Sequence, residues 1–202
     1  LIERSAIRIL NAEDQDLWEH RKSFEGGTWI SAKGPGQKEN QIQLWINEEG
    51  LVENKKGVLF PASAFSLPGQ HNLQNMLLVT AAAIATGLAH QAIEKSLRTF
   101  KGIPHRLEPL GQANGMLIFN DSKATNFHAA SMGLEAVCKP VIVLAGGQMK
   151  LGDASNWLDQ LNERACGAVL FGESALEIKE LIEGSNFKGV LHCCNGLKEA
   201  VD

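Results

Sequence analysis

The sequence has no surplus of positive charge, no long apolar run and no patterned cysteines. Its 19 Lys and Arg are outnumbered by 23 Asp and Glu, for a formal net charge of −4. Nonspecific nucleic-acid binding needs clustered cations that displace phosphate counterions, so a nucleic-acid partner is not expected. The longest mostly apolar stretch, Met76 to Ala89, is interrupted by Thr80, Thr86 and Gly87. It falls short of the ~18 apolar residues that mark a membrane-spanning helix, so no membrane partner is expected. The first residues lack a charged flank followed by an apolar block, so no signal peptide is expected either. Cys138, Cys166, Cys193 and Cys194 form neither a CxxC pair nor a disulfide framework. They read as free thiols in the core of a cytosolic protein. Trp18, Trp29, Trp45 and Trp157 are too scattered to make a stacking platform for bases.

Several catalytic signatures are also missing. There is no GxxxxGK[ST] phosphate loop, no GxGxxG, no HExxH and no GxSxG. His20, His90, His128 and His192 join no constellation, and no metal ligands are expected within these residues. ATP chemistry that relies on a phosphate-loop lysine would have to draw on sequence outside this chain. The start at Leu1-Ile2-Glu3, without Met, and an end in what reads as a helix from Leu197 suggest a fragment of a longer chain.

What remains is an ordinary globular composition, 44% hydrophobic and 21% charged over 202 residues. That length suits one large domain or two small ones. Strands are expected over Ile7–Leu10, Thr28–Ala32 and Gln41–Ile46, the last alternating polar and apolar. Gly34-Pro35-Gly36 separates two of them, and Val58–Phe60 closes a β-rich stretch read as hairpins. Asp14–Lys22 is polar and reads as a helix. The Ala- and Leu-rich segment Asn72–Gly87 and then Gln91–Phe100 read as helices, ended by Gly102 and Pro104. A boundary falls near Ile103. Beyond it, Leu107–Leu110 and Met116–Phe119 flank an Asn114-Gly115 hairpin turn. Helices over Asn126–Val137, Ser155–Arg164 and Ser174–Ile182 then alternate with strands over Val141–Ala145, Ala168–Phe171 and Gly189–His192. The alternation predicts a parallel sheet with crossover helices, and the apolar run Val141–Ala145 predicts a strand buried on both faces.

Four segments could carry chemistry. Asn120-Asp121-Ser122-Lys123-Ala124-Thr125-Asn126 packs a carboxylate, an ammonium, hydroxyls and amides between a strand and a helix, where open α/β sheets place ligands. Asp could accept from ribose hydroxyls and Lys could neutralise phosphoryl or carboxylate charge, although loops and helix caps use the same residue types. Ala145-Gly146-Gly147-Gln148-Met149-Lys150 follows a second strand; its glycines allow close backbone approach and Lys150 offers a cation. Two lysine loops at neighbouring strand ends could face one pocket, whereas either alone could be a plain turn with a solvated Lys. In Pro104-His105-Arg106, the guanidinium could grip phosphate or simply lie near a turn. In Gly69-Gln70-His71-Asn72-Leu73-Gln74-Asn75, Asn72 and Asn75 share a helix face and could read a base edge, or Asn72 could be an N-cap.

In chain order these segments read GxHNxxN, FxGxPHRxE, NDSKATN and a buried strand ending in GGxxK. Together they resemble the Mur ligases of peptidoglycan synthesis over essentially the whole chain. NDSKATN is similar to the D-glutamate-adding branch in particular, and Arg8 to Asp14 resembles the family's late central-domain strand and acidic turn. The resemblance implies an α/β protein. Residues 1–103 would be the last part of the central ATP-binding domain, and 104–202 an incomplete Rossmann-like C-terminal domain with a mainly parallel sheet. It implies ATP and Mg2+ as cofactors, with the magnesium ligands and phosphate loop upstream. The substrates would be UDP-N-acetylmuramoyl-L-alanine and D-glutamate, joined through an acyl phosphate by a monomer in the bacterial cytoplasm. Asn72 and Asn75 would face adenine, and Arg106 with His105 beside it would contact the nucleotide. Asp121 would accept from ribose, and Lys123 would sit near the transferring phosphoryl group and the incoming amino acid. Thr125 and Lys150 would hold the D-glutamate carboxylates, and Ile103-Pro104 would be a hinge. Gln148 stands where an acidic residue is common in the family. The 202 residues alone are expected to turn over no ATP. The alternatives are another Mur or folylpolyglutamate-type ligase, separated by the Asn120–Asn126 loop, and a non-catalytic nucleotide- or amino-acid-binding domain.

Overall fold

The computed structural model describes residues 5–38, 40–148 and 152–201. The chain divides into two compact units, Leu1–Lys101 and Gly102–Asp202.

The first unit is built on a five-stranded sheet in the order β1-β2-β3-β4-β5. The strands are β1 (Ile9–Asn11), β2 (Thr28–Ser31), β3 (Ile42–Ile46), β4 (Leu51–Asn54) and β5 (Gly57–Pro61). The stretch is not a run of hairpins as expected. β1, β2 and β3 pair in parallel, and only β3-β4-β5 is antiparallel. Period-2 alternation reports burial and not strand direction, so it could not separate these arrangements. The intervening α1 (Gln15–Glu19), a 3-10 turn at Arg21–Phe24 and the Gly34–Lys38 turn make the crossovers. Asp14 caps α1 by accepting from the Leu17 N–H at 2.9 Å.

Helices α2 (Gln70–Ala85) and α3 (His90–Thr99) pack Met76, Leu77, Ala81, Ile93 and Leu97 onto Ile30, Leu44, Val52 and Phe60 of the sheet. Phe100, the C-cap of α3, is 42% exposed and stacks on Phe65. A second cluster joins Leu10, Trp29 and Ile42 to Trp18, Phe24 and Trp45, with Trp18 edge-on to Trp29 at 5.2 Å. Three tryptophans that are scattered in sequence thus converge as core.

The second unit opens with a hairpin of β6 (Glu108–Ala113) and β7 (Met116–Asn120). Asn114 and Gly115 both take positive φ, 50° and 79°, as a primed hairpin turn requires. After α4 (Phe127–Ala136), the strands β8 (Val141–Gly146), β9 (Ala165–Phe171) and β10 (Val190–Cys194) form a parallel sheet in the order β10-β9-β8. Its crossovers are α5 (Ser155–Arg164) and α6 (Ala175–Glu183), and α7 (Leu197–Val201) follows β10. Leu134, Trp157, Leu161, Ile178 and Ile182 cover one face of this sheet, against Val143, Ala168 and Leu170.

The expectation that β8 is buried on both faces fails. Val141, Val143 and Ala145 pack on the core, while Ile142 and Leu144 are 48% and 41% exposed. The helices that carry the core reach only one side of this edge strand. The cysteines are likewise not core residues: Cys138 and Cys166 are exposed, and Cys193 and Cys194 are half-buried. No helix of the described residues is long and apolar enough to cross a membrane.

At the start of α5, Ala154 takes the N-cap position with no side-chain cap. Asp153, one residue earlier, accepts from the Ser155 hydroxyl at 2.6 Å and the Ser155 N–H at 2.9 Å. These bonds, the hydroxyl's first, hold the Asp153 carboxyl below its ordinary value. A lowered folded value favours folding above the unfolded carboxyl range, and that contribution fades as pH falls through the folded value. The main load on the second unit is packing. Leu161 is fully buried at the centre of its core. Leu161→Ala is therefore expected to cost about 3 kcal/mol of stability, read from the shift of the denaturant midpoint at constant slope.

Candidate functional site

Two short segments of the second unit are fastened together. The turn His105-Arg106-Leu107 precedes β6, and the loop Asn120–Asn126 follows β7. Hairpin pairing sets Glu108 opposite Asn120, so the two segments leave the hairpin side by side. His105 and Leu107 both lie in the left-handed region, at φ 65° and 43°. Non-glycine residues pay about 1–3 kcal/mol for such a conformation, so it persists only where surrounding contacts over-determine it.

Those contacts are present. Asp121 Oδ1 accepts from the Leu107 N–H at 3.0 Å. The Lys123 N–H donates to the His105 carbonyl at 2.9 Å, and the His105 N–H donates to Glu108 Oε2 at 2.8 Å. The Arg106 N–H donates to the Ile103 carbonyl at 3.2 Å. Asn120 Nδ2 lies 2.9 Å from His105 Nδ1. Leu107 itself is 4% exposed and anchors the turn.

The loop is also tied internally. Asn120 Oδ1 accepts from the Ser122 N–H, the Ala124 N–H donates to the Asp121 carbonyl, and the Thr125 N–H donates to the Lys123 carbonyl. Asn126 caps α4 through the Ala129 N–H at 2.8 Å. Within α4, Gly133 leaves room for the acid, because a Cβ there would come within 2.6 Å of Asp121 Oδ2. The structure therefore brings His105, Arg106, Asp121, Lys123 and Thr125 into one assembly. The Arg106, Lys123 and Thr125 side chains are exposed. Among the described residues, no hydrogen bond or ion pair holds the Arg106 guanidinium or the Lys123 ammonium. Two cations free to meet an anion are thus presented from one fastened scaffold.

The remaining predicted residues stand differently. Asn72 and Asn75 belong to the first unit. Asn72 is not the N-cap of α2; Gly69, at φ 99°, takes that position. Asn72 is 6% exposed and donates to the Pro68 carbonyl at 2.6 Å, while Asn75 on the next turn is exposed. Met149 and Lys150 lie outside the described residues. Gly147 has φ 108°, and a Cβ on Gly146 would come within 2.5 Å of the Phe171 carbonyl. The paired glycines are therefore needed by the fold itself. The Asn120–Asn126 loop does not leave a strand of the parallel sheet, as expected, because β7 pairs with β6 in a separate two-stranded sheet. An open concavity of about 340 Å3 lies in the first unit, beside Glu13, Ser31 and Lys33 to Lys38, and none of the predicted residues lines it.

Sequence reasoning gave no role to Gly133, Glu108 or the Asn120 amide. A glycine inside a helical pattern was the one available signal for Gly133.

Over its full length the chain is 57% identical to a UDP-N-acetylmuramoylalanine–D-glutamate ligase of Prochlorococcus marinus strain MIT 9313, across 201 residues and 44% of that protein. It is 50% identical to the ligase of that name from Synechococcus strain CC9605, again covering all of the chain and 44% of the relative. No protein-family profile matches the chain. Among solved structures, MurF from Acinetobacter baumannii superposes with a TM-score of 0.66 at 22% identity, over 96% of this chain and 44% of that one. Mycobacterium tuberculosis folylpolyglutamate synthase, complexed with ADP and AMPPCP, superposes at 0.63 and 18% identity, over 92% of this chain and 43% of that one. The fold and the relatives together place the chain in the Mur ligase family. Within that family, its named relatives are the D-glutamate ligases, of whose length it spans less than half.

The packing of Gly133 gives a direct test. The atom that a new Cβ would meet is the end of a short side chain, so Gly133→Ala should move the Asp121 carboxylate without unfolding α4. Amide exchange at Leu107 should accelerate about fivefold or more as its acceptor is displaced, with Tm shifted by only a few degrees. Unchanged Leu107 exchange would show that the carboxylate does not hold the turn.

Proposed function

We propose that this chain is the C-terminal part of an ATP-dependent ligase that joins D-glutamate to UDP-N-acetylmuramoyl-L-alanine in the bacterial cytoplasm. Residues 1–103 complete the central ATP-binding domain, and 104–202 form much of the Rossmann-like C-terminal domain. The observation that carries this reading is the exposed Arg106 and Lys123 on one fastened assembly, in a chain matched end to end by relatives of that name.

The physical problem is charge. A carboxylate is a poor electrophile, and ATP supplies the phosphoryl group that makes its oxygen a leaving group. The amine of D-glutamate then displaces phosphate from the acyl carbon and loses a proton. Every reactant is anionic, so the protein must hold the partners together against their repulsion, using fixed cations and donors. In this chain Arg106, with His105 beside it, meets the nucleotide, and a guanidinium suits the paired oxygens of a phosphate. Asn72 and Asn75 meet adenine. Asp121 accepts from the ribose hydroxyls as well as from Leu107. Lys123 stands near the transferring phosphoryl group and the incoming amino acid, and Thr125 and Lys150 hold the D-glutamate carboxylates. Mg2+ would meet ligands upstream of this chain, as the family resemblance implies.

The roles separate kinetically in the full-length ligase. Arg106→Ala should raise KM for ATP about tenfold or more while KM for D-glutamate stays within about twofold. Lys150→Ala should do the reverse. Equal effects of each variant on both substrates would overturn the assignment of Arg106 to the nucleotide and Lys150 to the amino acid.

A further inference from the structure

Asn120 is absent from the roles above, yet its amide can be oriented by chemistry alone. The Ser122 N–H donates to it at 3.1 Å, and a backbone donor requires the amide oxygen there. The reversed amide would set two donors against each other. Asn120 Nδ2 is therefore the atom 2.9 Å from His105 Nδ1. An amide nitrogen only donates, so Nδ1 must offer its lone pair. The imidazole is then neutral, with its proton on Nε2. The other acceptor near Nδ1, Glu108 Oε2, is 3.8 Å away, beyond hydrogen-bond reach, and already receives the His105 N–H. No other charged group is paired with this ring among the described residues.

We propose that Asn120 is a positioning residue for the nucleotide contact, locking His105 as a neutral Nε2–H donor and so bracing the left-handed turn that carries Arg106. The inference rests on the reading that this turn meets the nucleotide. The arrangement separates two kinds of donor on adjacent residues. Arg106 supplies the fixed positive charge, and His105 supplies a directed hydrogen bond without a second charge. A neutral ring with its proton on the far nitrogen leaves only one way to donate outward, which fixes the direction of that bond. The same amide, by gripping the ring, resists relaxation of His105 from φ 65°.

The test uses Asn120→Asp in the full-length ligase, because the carboxylate keeps the acceptor for Ser122 and removes the donor to His105. Two-bond 1H–15N spectra of the imidazoles are recorded without ligands at about pH 8.5, where an ordinary histidine is neutral. His105 is assigned by the signal lost in His105→Ala. The expected result is an Nε2–H ring in the parent and an Nδ1–H ring in Asn120→Asp. KM for ATP should rise about three- to tenfold, with kcat and KM for D-glutamate within about twofold. The double variant with His105→Ala should be no worse than His105→Ala alone. An unchanged tautomer in Asn120→Asp, or effects on KM for ATP that multiply in the double variant, would overturn the proposal. The underlying reading is checked separately by Arg106→Ala. If that variant raises KM for ATP while Asn120→Asp leaves it unmoved, only the positioning role fails; if neither moves it, the nucleotide reading fails too.

Discussion

One carboxylate oxygen of Asp121 takes the Leu107 N–H, and the other lies where a Cβ on Gly133 would stand. This contact ties the end of β7 and the first turns of α4 to the segment ahead of β6. Without it, Leu107, one of the two left-handed residues that flank Arg106, would lose the side-chain acceptor that holds its N–H in this conformation. With it, the exposed Arg106 and Lys123 belong to one rigid scaffold instead of two independent loops. The hydrophobic cluster around Leu161 stabilises the parallel sheet, but it is this polar fastening that decides where the cations stand.

The distribution of charge follows the same logic. The chain is acidic overall, and the two exposed cations on this assembly, unpaired among the described residues, are linked through backbone hydrogen bonds. Such an arrangement suits the proposed binding of several anions. The cations cost little to hold apart while solvated, and the backbone that carries them is already fixed by hydrogen bonds. Bulk basicity would add nonspecific attraction without adding position.

Much of this architecture is legible in the residues, and the exceptions share a cause. The Asn114-Gly115 turn, the helix that begins near Asn126 and the alternation of strands and helices after Val141 are local patterns, and the structure contains all three. The parallel pairing of β1, β2 and β3 is not local, because alternation along a strand is the same for either neighbour direction. The apolar run at Val141–Ala145 suggested burial on both faces, yet the helices that cover β8 reach one face. Asn72 looked like a cap, but Gly69 at positive φ starts α2 earlier. Candidate residues such as Arg106, Asp121 and Lys123 could be picked out from composition and from the family resemblance. Their fastening through Leu107, Glu108 and Gly133 was not, since it joins positions up to 26 residues apart through backbone donors that carry no sequence signature.

The proposed function makes D-glutamate the incoming amine. The most direct measurement follows phosphate release by the full-length ligase, given ATP and UDP-N-acetylmuramoyl-L-alanine, as D-glutamate or L-glutamate is titrated in. Release that depends on the D isomer alone is the predicted result. Release with both isomers, or with neither, would contradict the assignment of this chain to D-glutamate ligation.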